Sequence, residues 1–98
     1  MRFEWDERKN ASNLRKHDVG FEFATAVFDD PLAFSEQDRI VDGEERWWTI
    51  GNGGGRILYV AFTVDESGDE DIVRIISARR ATRQERRDYE QGTRATHR

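Results

Sequence analysis

The chain has 98 residues, which suits one domain with a thin core, and 36% of them are hydrophobic against 37% charged. There is no cysteine, so disulfides and thiolate metal sites are excluded. The net charge of −4 hides an asymmetry: residues 71–98 carry eight arginines against four carboxylates (+4), whereas residues 1–70 carry eight basic and sixteen acidic residues (−8), and a basic end on an acidic body points to an anionic partner.

The opening MRFEWDERKN has no apolar signal region and no run approaches transmembrane length, so a cytoplasmic address and no membrane partner are expected. Phe3-Glu4-Trp5 is a short extended start. Asp6 is a good N-cap, and a first helix is predicted from there to about His17, ended by Asp18 in a left-handed conformation. Ala11 and Leu14 are its only apolar residues, while Lys9, Asn13, Lys16 and His17 fall along one side at helical spacing. Gly20 opens a second helix from Phe21 to about Phe28, with Phe21, Ala24 and Phe28 on its core stripe. Asp29-Asp30-Pro31 stops it, because Pro31 disfavours helical geometry at Asp30.

Four strands are predicted next. Ala33–Asp38 is short and polar. Glu45–Ile50 alternates Glu45, Trp47 and Thr49 against Arg46, Trp48 and Ile50. Arg56–Val64 is apolar on both faces and reads as central. Asp71–Arg79 places Arg74 on the opposite face from Arg79. The links at 51–55 and 65–70 are turn-rich, so an antiparallel meander follows. Thr82-Arg83-Gln84-Glu85 matches a capping box and opens a last helix to about Gln91, with Gly92 beyond its end. The expected fold is thus α+β: an antiparallel four-stranded sheet, two N-terminal helices and one C-terminal helix in a single domain over 1–92, with a mobile tail at 93–98.

Several features carry chemistry or imitate it. The glycine run at 51–55 lacks the Lys-Ser/Thr ending and the following helix of a phosphate loop and reads as a hairpin turn. The acidic stretch 65–70 lacks calcium-loop spacing and reads as a solvated turn. No metal-ligand spacing appears, and neither metal nor cofactor is called for. Trp47 and Trp48 point to opposite sides of a strand, so one is core and the other is open to stack on a base; Trp47 is assigned to substrate. Arg79 and Arg80, at the end of the last strand, suit a scissile phosphate or, alternatively, salt bridges to Glu45 or the acidic body. His17 is either a proton carrier or a helix C-terminal residue favoured by the macrodipole.

The order and spacing of Phe3-Glu4-Trp5-Asp6-Glu7, Lys9, Asn13, Lys16-His17, Phe21-Glu22, Asp29-Asp30-Pro31, Glu45-Arg46, Ile50-Gly51, Arg74 to Ala81, Glu85-Arg86 and Tyr89-Glu90 resemble the BrnT family of toxins over nearly the whole chain. Two departures stand out: Asp18 where the family usually has Gly, and Gly20 with Phe23 where Ser and Glu would form a capping box. The resemblance implies a RelE-like fold, metal-independent RNA cleavage that halts translation, and a partner antitoxin of the BrnA-like ribbon-helix-helix kind, through which alone the complex would bind operator DNA. For such a ribonuclease, Arg79 and Arg80 are assigned to the phosphate with Arg46 as a third contact. Glu45 or His17 is the proton acceptor, and Tyr89 orients a base or a water. Lys9, Lys16, Arg74, Arg83 and Arg86 are further RNA contacts. Glu45 and Arg46 cannot share a sheet face unless a bulge intervenes. The alternative is a non-enzymatic module that docks nucleic acid or protein through the arginine-rich last helix.

Overall fold

A computed structural model describes residues 1–92; the tail expected at 93–98 lies outside the described residues. In chain order the elements are β1 (Arg2–Glu4), α1 (Glu7–His17), α2 (Phe21–Ala26) running into a 3-10 turn (Val27–Asp29), β2 (Phe34–Val41), β3 (Glu44–Gly53), β4 (Arg56–Asp65), β5 (Ile72–Arg80) and α3 (Arg83–Gln91). The sheet has five strands in the order β1-β5-β4-β3-β2. This corrects the expected four-stranded antiparallel sheet. The extended start is itself a strand, paired parallel with β5 through Arg2↔Ile72, Phe3↔Val73 and Glu4↔Arg74, so the sheet is mixed. Three residues are too few for a strand to announce itself by alternation. What recruits them is the core: the Phe3 ring lies 5.2 Å from Phe28, which meets Phe62 edge-on at 4.9 Å.

β2 runs three residues past the expected Asp38. The chain turns instead at Asp42-Gly43, whose φ values of 51° and 77° are both positive, as a two-residue primed hairpin requires. The last helix starts and stops as its sequence demands, with the Thr82–Glu85 capping box formed and Gly92 left-handed at its C-cap.

α1 and α2 cover one face of the sheet. Val19, Phe21, Ala24 and Val27 meet Leu58, Val60, Phe62, Val73, Ile75 and Ala78 there in one buried cluster. Leu14 turns outward at 51% exposure, and the buried residue of α1 is Asn13. Its side-chain amide donates to the carbonyls of Ala78 (2.7 Å) and Val19 (2.9 Å) and accepts from the Ala78 N–H (3.2 Å). Asn13 therefore pairs with an unladdered stretch of β5 as a neighbouring strand would, which is how a buried edge stays satisfied. The capping box that Gly20 cannot make is replaced from α1: the Asn10 side-chain oxygen accepts the Phe21 N–H at 2.9 Å, and Glu7 holds the Asn10 amide. Asp18 sits at φ 59°, as expected of the helix end.

β3 lets α2 approach because it offers glycine on that face. A Cβ on Gly53 would stand 2.4 Å from the Phe23 carbonyl oxygen and 2.9 Å from Leu58 Cδ1. Gly53→Ala is expected to destabilise the fold by about 1–3 kcal/mol, since backbone must move. Gly68→Ala, with nothing within 4 Å, should change little. Urea denaturation of the two variants checks the contrast.

Candidate nucleic-acid interface

The second sheet face is covered only at one end, by α3, and its residue set depends on two bulges. In β5 the register steps from Ala61↔Ser77 to Phe62↔Ile75, so Ile76 is an extra residue. One extra residue reverses the facing of everything beyond it. Arg74, opposite Thr63, and Arg79, opposite Tyr59, consequently share the open face, which corrects the expectation from simple alternation that they oppose each other. The β2–β3 irregularity lies in β2, where Asp38 and Arg39 together oppose Arg46. β3 keeps its own alternation, so Arg46 is on the open face with Trp48 while Glu45 is on the helix face with Trp47.

Across the open face runs a row of rings. The Arg79 guanidinium carbon lies 4.0 Å from the centre of the Tyr59 ring, Tyr59 stacks with Trp48 at 5.8 Å, and Trp48 meets Phe34 edge-on at 5.9 Å. Trp48 thus occupies the position assigned to Trp47, which instead packs against the core.

Arg79 is firmly held. It grips Glu85 with two bonds, 2.8 and 3.1 Å, and Glu85 also accepts the Thr82 N–H at 2.9 Å. The bond to Glu85 holds the Arg79 guanidinium more firmly protonated, against the opposing effect of its burial. Burial pushes the Glu85 carboxyl up, but the bonds from Arg79 and Thr82 outweigh it and leave the value below the usual range. Bidentate pairs of this kind do not open readily. The other open-face arginines are loosely held. Arg74 reaches Glu4 at 3.4 Å and Arg46 reaches Glu44 at 3.8 Å, both surface pairs of small worth. The Arg46 Nε is shielded from solvent and has no hydrogen-bond partner in the structure.

Beside this face, where β1 no longer covers β5, α1 forms the wall of a cleft of about 310 Å³. Lys9, Lys16 and His17 line it together with Arg8, Ser12 and Ser77. Ser77 belongs to the open face by its register, so cleft and face adjoin. None of Arg8, Lys9, Lys16 or His17 forms a side-chain hydrogen bond or ion pair with the described residues. Three unpaired cations and an imidazole around a serine form a polar, anion-attracting site.

The remaining candidates lie elsewhere. Arg80 faces away from Arg79 and bonds to Asp18 at 3.3 Å, so the paired arginines diverge. Glu45 lines an acidic cup with Glu44, Trp47, Asp65 and Glu66, remote in the fold from the Arg79 end of β5. Arg83 and Arg86 are exposed on α3. Tyr89 donates to Asp30 at 2.6 Å and ties α3 to the segment before β2. Burial pushes the Asp30 carboxyl up, but the Tyr89 hydroxyl and the Asn52 and Leu32 N–H groups outweigh it and leave it below the usual range. The Tyr89 phenol, bonded to that carboxylate, is pushed up to about 12. A depressed carboxyl value stabilises the fold above the unfolded group's titration range and loses that contribution as pH falls through the folded value. Tyr89→Phe is therefore expected to cost about 1 kcal/mol at neutral pH. The gap between variant and parent should narrow below about pH 4, read by urea melts at both pH values.

A family model described as the ribonuclease toxin BrnT of type II toxin–antitoxin systems matches residues 5–85. The chain belongs to the BrnT family. No curated protein matches it significantly. The BrnT match takes in α1, the open face and Arg79, and ends at Glu85, before Tyr89. As a member of a ribonuclease toxin family, the chain has RNA as its implied substrate and an antitoxin as its implied partner. Among the described residues no group of three or more His, Cys, Asp or Glu side chains is placed to hold a metal ion, and no helix is long and apolar enough to cross a membrane. Sequence reasoning passed over Arg8, Tyr59 and Ser77 as site residues. Arg8 carried a charge signal in the first turn of α1; Ser77 carried none, because only the bulge brings it to this face.

Proposed function

We propose that this BrnT-family chain cleaves single-stranded RNA without a metal, using the substrate's own 2′-hydroxyl, and that it thereby arrests translation until a ribbon-helix-helix antitoxin binds it. The same reading carries a RelE-like fold and a cytoplasmic site of action. Repression of its own operator is assigned to the antitoxin. The observation that supports it most is the β5 bulge, which sets Arg74, Ser77 and Arg79 on one face beside the unpaired cations of α1. Bulges commonly re-aim side chains next to active sites.

In this reading Lys9, Lys16, Arg46 and Arg74 hold phosphates. Arg46 and Arg74 exchange weak surface pairs for a phosphate oxygen at little cost. A cluster of fixed cations stabilises the dianionic phosphorane as charge develops. Arginine and lysine stay protonated at working pH, so proton transfer falls to His17. Arg79, committed to Glu85, positions α3 rather than binding phosphate.

The test is cleavage of a labelled single-stranded RNA by the purified chain in the presence of a chelator. Cleavage leaving cyclic phosphate ends, and its loss when the scissile nucleotide is 2′-deoxy, is the expected result. Dependence on an added divalent ion overturns the metal-independent mechanism, and intact RNA under every condition favours the non-enzymatic module. Growth arrest on induction, relieved by the neighbouring gene's product, tests the toxin role. Binding to uncleavable RNA should weaken with salt, and Lys16→Ala should flatten the log–log slope by about 0.7, one single-strand phosphate contact.

A further inference from the structure

We propose that the groove between α3 and the open sheet face is a subsite for one unpaired nucleobase carrying an exocyclic amino group, adenine or cytosine rather than uracil. The proposal rests on the RNA reading above and specifies which part of the substrate lies where. The groove encloses about 410 Å³, ample for a single base. Its floor is apolar and aromatic: Phe34, Trp48, Ile50 and Tyr59. Phe34 and Ile50 are buried, and Trp48 and Tyr59 are partly open to solvent. A floor of this kind suits the flat face of a base and is indifferent to its identity.

The rim supplies the discrimination. Glu36, Glu85 and Asp88 border the groove, and Arg79 is its one cation. Because Arg79 is neutralised by two bonds to Glu85, the rim is net acidic. Such a rim repels a phosphate and the carbonyl oxygen that uracil presents where cytosine has its amino group. It attracts the amino group of adenine or cytosine, for which a carboxylate is the natural acceptor. Glu36, exposed on the edge strand, is the carboxylate without a hydrogen-bond or ion-pair partner among the described residues. Phosphates and bases are thus sorted by charge: phosphates to the cationic α1 side of the face, a base to the acidic α3 side.

The experiment titrates the full chain with fluorescein-labelled 2′-O-methyl hexamers of adenosine, cytidine or uridine, which cannot be cleaved through the 2′-hydroxyl, and reads anisotropy. Adenosine and cytidine hexamers should bind roughly tenfold tighter than uridine, the scale of one stacked base. Trp48→Ala should remove that advantage, Trp48→Phe should keep it, and Glu36→Gln should shrink it. If Trp48→Ala does not fold, Glu36→Gln, at an exposed position, carries the test alone. Equal affinity for all three hexamers, or a preference that survives in Glu36→Gln and Trp48→Ala alike, overturns the subsite. So does a loss confined to antitoxin binding, which makes the groove a protein-docking surface. Cleavage of ordinary RNA by the parent chain alongside equal hexamer affinities removes only the subsite; failure to bind any hexamer removes the RNA reading with it.

Discussion

Protein carrying His17→Ala is expected to cleave RNA about 10² to 10⁴ times more slowly than the parent, the usual contribution of a general acid or base. The imidazole lines the α1 cleft with Lys9, Lys16 and Ser77 and has no internal partner to occupy it. The same cleft offers lysine and arginine cations, which bind phosphate but do not exchange protons near neutrality. Removing the imidazole leaves those cations in place, so the loss should fall on kcat, with the affinity for uncleavable RNA nearly unchanged. Lys16→Ala should show the reverse weighting, with weaker binding and a smaller effect on kcat. A His17→Ala protein that turns over at the parental rate moves the proton transfer to another group. His17 also sits in the last turn of α1, where a charged imidazole favours the helix dipole, and its loss there costs well under about 1 kcal/mol. A fold-level explanation of lost activity is excluded by measuring the melting temperature of the same preparation.

Asn13→Ala is expected to lower stability by about 3 kcal/mol, near the upper range for a single surface-helix substitution. The side chain makes three hydrogen bonds to buried backbone groups, two at Ala78 and one at Val19. Each contributes about 1 kcal/mol net, and the alanine variant leaves those groups unpaired and away from water. Asn13→Asp, of nearly the same shape, should lose at least as much at neutral pH, because a carboxylate has no donor for the Ala78 and Val19 carbonyls and repels both. The readout is the urea midpoint, with an unchanged m-value as the sign that the unfolded reference is the same. A drop below about 1 kcal/mol would mean that water replaces the amide at this edge. Because Asn13 lies in the lining of the α1 cleft, its loss should also reduce cleavage, but only as far as α1 shifts from β5.

The paired arginines show where local reading reaches its limit. Adjacent in sequence, Arg79 and Arg80 invite a shared role, yet strand geometry sends neighbours to opposite faces, and each finds a different carboxylate: Glu85 for one, Asp18 for the other. Trp47 and Trp48 pose the same choice. Only the position of the two helices decides that Trp47 is the packed ring and Trp48 the open one. Lys9, Lys16 and His17 were legible as one side of a helix because helical spacing is a local property, and the structure does gather them in one cleft. What they face was not legible. Ser77 arrives opposite them because β5 carries one residue more than β4 can pair with.

From the residues alone come the boundaries set by short-range chemistry. The Asp6 cap, the Pro31 stop, the Thr82–Glu85 box and Gly92 act within a few residues of where they stand, and each element begins or ends accordingly. Membership of the BrnT family was likewise written in the order of short motifs. Tertiary structure alone decided the fifth strand, the facing of Arg74, and the carbonyls that Asn13 reaches 65 residues away. Those outcomes depend on which strand lies alongside which, and pairing partners distant in the chain leave no periodic trace in either segment.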